Sequence, residues 1–145
     1  MNVNVEISIG EFFDKVTILE IKKARISDPA KLVNINKELD GLNQLLSRLP
    51  FSRDSIKKEF AELKQINEKL WVIEDDIRDK EAKKQFDQVF IDLARAVYIT
   101  NDRRSEVKRN INLKLGSDFV EEKSYEKYWS GAAVGVSWQL VDACG

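Results

Sequence analysis

The stretch PAKLVNINKELDGLNQLLSRL, residues 29–49, decides the fold class of this chain. Its apolar side chains recur every three or four positions, at Leu32, Ile35, Leu39, Leu42, Leu46 and Leu49. That spacing forms one apolar seam along a helix and is typical of coiled-coil-like packing against a second helix. Asp28 is a suitable N-cap and Pro29 is tolerated in a first helical turn, so we predict a helix over 29–48.

Three further helices are predicted on either side of this stretch. Ser8 and Glu11 have the spacing of a capping box. In this motif the side chain of each residue accepts a hydrogen bond from the backbone N–H of the other. Gly116 is a natural C-terminal stop. With the apolar periodicity between them, these signals predict an all-α bundle of four helices at 8–26, 29–48, 53–81 and 84–115.

Both ends of the chain depart from the helical pattern. Val3, Val5 and Ile7 alternate with polar residues, which predicts a short N-terminal strand or arm. The segment 129–145 contains one charged residue, Asp142, and three of the six glycines, so we expect an irregular tail that is extended or disordered. The sequence therefore predicts one helical-bundle domain over 1–128, followed by an uncharged tail over 129–145.

The composition excludes several classes of protein. Hydrophobic residues make up 43% and charged residues 34%, with 24 Lys and Arg against 25 Asp and Glu, which argues against disorder and against a basic nucleic-acid footprint. The chain has no histidine and one cysteine, so we expect neither zinc nor haem. No uncharged apolar run approaches the roughly 20 residues that span a bilayer. We therefore expect a cytoplasmic protein that binds neither membranes nor nucleic acid.

Polar side chains stand where the helical pattern calls for apolar ones. Placing successive residues about 100° apart aims nine of them inward: Glu20, Lys23, Asn67, Glu74, Arg78, Glu81, Asn101, Arg104 and Lys108. A buried unpaired charge costs several kcal/mol, so these side chains must pair with each other, border a water-filled cavity or face a partner chain. Their four positive and three negative charges leave one positive charge, which an anionic ligand would match.

Two interpretations of these inward polar residues are possible. In the first, the chain binds a small ligand carrying phosphate or carboxylate, gripped by Arg78, Arg104 and Lys108, with Glu74 as catalytic base if the domain is an enzyme. The remaining ligand-binding residues would be Glu20, Lys23, Asn67 and Asn101, and Glu74 with Glu81 would be candidate Mg²⁺ ligands. In the second, the chain forms a helical homo-oligomer, with a dimer favoured, in which the same residues are a buried salt-bridge network.

Several sequence blocks carry a family resemblance that covers about residues 5–128. The blocks are SIGE at 8–11, DK-x-TILEIK at 14–22, NE-x-LW-x-IED-x-IR-x-KE at 67–81, Y-x-TNDRR at 98–104 and VEEKSY at 120–125. In these blocks the chain resembles an uncharacterised bacterial and phage family of small helical domains of unknown function. The resemblance implies a helical domain and no assigned activity.

Overall fold

The structure is a computed structural model that describes residues 1–128 of the chain. Its four helices are α1 at Ile9–Arg25, α2 at Pro29–Leu46, α3 at Lys57–Ala82 and α4 at Gln88–Leu115. A short 3-10 helix, Arg53–Ile56, leads into α3. The predicted all-α bundle of four helices is confirmed. The predictions for 129–145 lie outside the described residues.

The helix ends follow the capping signals in the sequence. The Ser8 hydroxyl accepts a hydrogen bond from the Glu11 N–H at 3.1 Å, and the Asp28 carboxylate accepts one from the Ala30 N–H at 3.0 Å. Gly116 adopts the left-handed conformation with φ of 69° and closes α4. Glu11 does not complete the expected capping box. Its carboxylate accepts a hydrogen bond from Lys108 instead, which joins α1 to α4.

Two predicted boundaries differ from the structure. Residues 1–7 are exposed and form no strand, because no second strand lies within residues 1–128 to supply the inter-strand hydrogen bonds. Helix α4 begins at Gln88 rather than at 84. The end of α3 explains this, since Lys84 has φ of 56° and the Lys84 and Gln85 N–H groups bond back to Glu81 and Lys80. This Schellman turn reverses the chain, and Asp87 then caps α4.

Helix α1 is the centre of the bundle. It packs against α2, α3 and α4, whereas α3 and α4 pair with each other as a helical hairpin. Phe13, Val16 and Leu63 are fully buried in the core around it. Because α1 has neighbours on three sides, it buries a second stripe beside its apolar one. That second stripe contains Gly10, Asp14 and Thr17, and it positions the polar site.

None of the helices in residues 1–128 combines the length and apolar character needed to cross a membrane.

Candidate functional site

A carboxylate is buried at the junction of α1, α3 and α4. Asp14 is 1% exposed and receives hydrogen bonds from the Arg104 Nε at 3.0 Å and from the Asn67 Nδ2 at 2.8 Å. The Arg104 Nη2 bonds the second oxygen of the same carboxylate, so the guanidinium grips Asp14 with two parallel hydrogen bonds. We call Glu11, Asp14, Asn67, Arg104 and Lys108 the Asp14 cluster.

Lys108 is the second cation of the Asp14 cluster. Its Nζ lies 2.5 Å from Glu11, 3.2 Å from Glu121 and 3.8 Å from Asp14, and its side chain is only 10% exposed. Burial alone would lower the pKa of Lys108, but the hydrogen bond to Glu11 and the charge of Asp14 outweigh it and raise the pKa. For Arg104, burial is likewise outweighed by the hydrogen bond to Asp14, and its pKa is raised. Both cations therefore stay charged.

A close approach of two helix backbones places Asp14 opposite Arg104. A side chain at Gly10 would put its Cβ 2.5 Å from the Lys108 carbonyl oxygen, so only glycine fits there. The Gly10 N–H also donates to the Asn112 Oδ1 at 2.6 Å, which fixes α1 against α4. Asp14 lies one turn further along α1, and Arg104 lies one turn before Lys108. The glycine contact thus sets the register of the ion pair.

The orientation of the Asn67 amide follows from its neighbours. The Thr17 hydroxyl donates to the Asp14 main-chain oxygen at 2.8 Å, so its own oxygen is left to accept from the Asn67 Nδ2, also at 2.8 Å. The other hydrogen of that Nδ2 goes to the Asp14 carboxylate. Both amide hydrogens are therefore used inside the cluster, and the Asn67 Oδ1 is left as an acceptor.

An open cleft of about 560 Å³ lies directly outside Arg104, between α1, α3 and α4. Its volume is within the range of small-molecule sites, which is about 300–1,000 Å³. The apolar part of its wall consists of Ile18, Ile21, Leu70 and Trp71. The polar part consists of Lys22, Asn67, Glu74, Asp75, Arg78, Asn101 and Arg104. Three cations and two carboxylates leave the cleft with a net charge of +1.

The chain matches a known protein family. A model of the family of unknown function DUF6165 matches residues 3–137. The chain belongs to this family. No curated protein and no solved structure matches the sequence. The match reaches nine residues beyond the described part of this DUF6165 domain, and it assigns no activity.

The cleft of the DUF6165 domain contains five of the nine residues predicted to face inward. These are Asn67, Glu74, Arg78, Asn101 and Arg104. Lys108 is buried, but it lies inside the Asp14 cluster and not on the cleft wall. Glu20 lies elsewhere, where it pairs with Arg53 and, at 3.3 Å, with Lys64.

For Lys23, Arg78 and Glu81 the predicted inward orientation is wrong, although Arg78, whose side chain is 79% exposed, lies on the cleft wall. Lys23 is exposed in the last turn of α1, and Glu81 is exposed in the last turn of α3. In these last turns a position on the seam does not mean burial. The predicted single pocket therefore divides into an internal ion-pair cluster, a cleft and separate surface charges.

The candidate base, Glu74, lies in the cleft beside Arg78. The Arg78 Nε donates to the Glu74 carboxylate at 3.1 Å, and both side chains are substantially exposed. Within residues 1–128, no three acidic or cysteine side chains are grouped so as to hold a metal ion. The catalytic role of Glu74 and the Mg²⁺ role of Glu74 and Glu81 stay predictions.

The residues that sequence reasoning missed are Asp14, Lys22 and Asp75. Asp75 is exposed and lies on the cleft wall. The burial of Asp14 could have been predicted from the spacing of residues on α1. Gly10, Asp14, Thr17 and Ile21 are spaced four, three and four residues apart, which is a second helical seam beside the apolar one on α1.

Proposed function

We propose that the cleft binds a small ligand through a phosphate or carboxylate group. The observation that carries this proposal is the position of Arg104, whose guanidinium reaches from the buried Asp14 to the cleft wall. Its Nε and Nη2 bond Asp14, while its Nη1 makes no hydrogen bond within residues 1–128. The side chain is 27% exposed, so an anion in the cleft has access to it.

The Asp14 cluster favours binding because it fixes Arg104 before a ligand arrives. Ordering a free arginine side chain costs on the order of 0.5–1.5 kcal/mol on association. Here the two hydrogen bonds to Asp14 already order the Arg104 side chain when the protein folds, so most of that entropy loss does not occur on binding. Lys22 adds a second positive charge from α1, and no ion pair to it occurs within residues 1–128. The two cations line the cleft from different helices, Lys22 from α1 and Arg104 from α4.

The acidic residues limit which anions fit. Glu74 is bonded to Arg78, and Asp75 lies on the same wall, so the net charge of the cleft is only +1. A polyanion would meet these carboxylates, whereas a ligand with one anionic group would not. Glu74 is the residue we assign as the base if the ligand undergoes proton transfer.

Isothermal titration calorimetry with inorganic phosphate and with acetate tests the proposal. We expect Lys22→Gln and Arg104→Lys each to weaken binding about tenfold or more, because a charge-assisted hydrogen bond contributes about 1.5–3 kcal/mol. Lys83→Gln is the matched control. Lys83 is an exposed lysine paired with Asp79 and lies outside the cleft. Absence of binding to both probes, or equal weakening by the control, would contradict the proposal.

A homo-oligomer is the second candidate, and exposed apolar side chains favour it. Phe86 is 55% exposed, Ile91 47% and Val89 40%, all near the turn between α3 and α4. We propose that this end of the hairpin is covered by another copy of the chain. Sedimentation velocity of wild type and Phe86→Ser tests this, and a monomeric wild type at micromolar concentration would contradict it. We also propose a cytoplasmic location, because the chain has a single cysteine and forms no internal disulfide.

A further inference from the structure

We infer that the ligand of the cleft is an anionic sugar, such as a sugar phosphate or a sugar acid. This inference rests on the proposed function and identifies the uncharged part of the ligand as a sugar ring. The α3 wall of the cleft contains an aromatic ring and carboxylates, unlike the cationic side formed by Lys22 and Arg104.

An aromatic ring on α3 is flanked by hydrogen-bond acceptors. Asn67, Trp71 and Glu74 are spaced four and three residues apart, so they follow one stripe of the helix, with Asp75 beside them. The Asn67 Oδ1 is an acceptor because both hydrogens of its amide are used in the Asp14 cluster. Glu74 and Asp75 are carboxylates and accept as well. The wall thus presents an indole ring with acceptors on both sides, and the Arg78 Nε donates to one of them, the Glu74 carboxylate.

A sugar ring matches this wall. Its C–H face is apolar and packs on an indole ring, while the hydroxyl groups around its edge each offer a hydrogen to an acceptor. Its phosphate or carboxylate would then lie toward Lys22 and Arg104. Inorganic phosphate would use only the cationic side and leave Trp71 without a contact. The cleft volume of about 560 Å³ is ample for a phosphorylated hexose.

A nucleotide fits the same wall less well. A base stacked on Trp71 presents ring nitrogens and carbonyl oxygens along its edge as well as amino groups. Those acceptors would face the oxygens of Asn67, Glu74 and Asp75, and the resulting acceptor pairs are repulsive. Hydroxyl groups avoid this, because each one can rotate its hydrogen toward the acceptor.

Calorimetric titrations with five probes test the inference: glucose 6-phosphate, glucose 1-phosphate, glucuronate, inorganic phosphate and adenosine monophosphate. We expect at least one of the three sugar probes to bind about tenfold tighter than inorganic phosphate, which corresponds to about 1.4 kcal/mol. Trp71→Leu should remove that advantage and leave phosphate binding unchanged. Phe119→Leu, at an exposed aromatic residue outside the cleft, is the control and should change neither.

Asp75→Ala gives a readout that loss of folding cannot mimic. Removing this carboxylate takes away an acceptor for hydroxyl groups and a negative charge near the anion site. We therefore expect weaker binding of the sugar probe and equal or tighter binding of inorganic phosphate. Weakening of both by the same factor would overturn the assigned sugar contact.

The outcomes separate the two proposals. If phosphate binds but no sugar probe binds more tightly, the sugar inference is overturned and the anion site stands. If adenosine monophosphate binds more tightly than every sugar probe, the ligand is a nucleotide and the inference is overturned. If neither phosphate nor any sugar probe binds, both proposals are overturned.

Discussion

Replacing Asp14 by asparagine tests whether the buried carboxylate stabilises the bundle through its ion pair with Arg104. The substitution keeps the shape of the side chain and one acceptor oxygen, but it removes the charge and introduces an amide donor. Arg104 and Asn67 both donate to Asp14, so at least one of them would face another donor. Lys108 would lose one of its counter-charges and keep Glu11.

The structure sets the size of the effect. Removing one partner of a buried ion pair costs about 3–5 kcal/mol. The Arg104 side chain is 27% exposed, so water replaces part of the lost interaction and we expect the lower end, about 3 kcal/mol. Asp79→Asn is the matched control, because Asp79 and Lys83 form an ion pair whose side chains are 59% and 57% exposed. Such a pair contributes about 1 kcal/mol or less.

Urea denaturation followed by circular dichroism measures this difference. With a slope of about 2 kcal/mol per molar urea, Asp14→Asn should lower the midpoint by about 1.5 M. The double variant Asp14→Asn with Arg104→Gln should lose less than the sum of the two single variants, because the two side chains act on each other. A midpoint no lower than that of Asp79→Asn would refute the structural role given to Asp14.

Two further substitutions test the contacts that position the cluster. Gly10→Ala should destabilise the protein by about 1–3 kcal/mol, because its Cβ would collide with the Lys108 carbonyl. Gly41→Ala is the control, because no atom lies within 4 Å of a Cβ at Gly41, and it should stabilise the protein by about 0.5–1 kcal/mol. Equal urea midpoints for the two variants would contradict the close approach of α1 and α4 at Gly10. Burial raises the pKa of Glu11, but the hydrogen bond and charge of Lys108 outweigh this and lower it from 4.5. The stability from this pair is therefore present above pH 4.5 and lost as pH falls through the lowered pKa, so Glu11→Gln should destabilise at neutral pH and match wild type in acid.

The fold could be predicted where local signals determine it. The seam of α2 and the caps at Ser8, Asp28 and Gly116 depend on residues a few positions apart, and the structure contains them as expected. The start of α4 could not be predicted in the same way. The left-handed residue that ends α3 is Lys84 rather than glycine, so the sequence gives no ordinary stop signal there.

The site was predictable only in part. Asn67 and Arg104 interrupt an apolar seam and can be found by helical periodicity alone. Asp14 lies beside the apolar face of α1, and its burial depends on α1 packing against three helices at once. That arrangement is a property of the assembled bundle. The opposite error occurs at Lys23, which follows the seam but is exposed in the last turn of α1.

A crystal structure of the chain grown with inorganic phosphate tests the central claim most directly. We predict phosphate in the cleft, within hydrogen-bonding distance of the Arg104 Nη1, while the Nε and Nη2 of the same guanidinium remain bonded to Asp14. Phosphate bound only outside the cleft, or an Arg104 side chain turned away from Asp14, would contradict it.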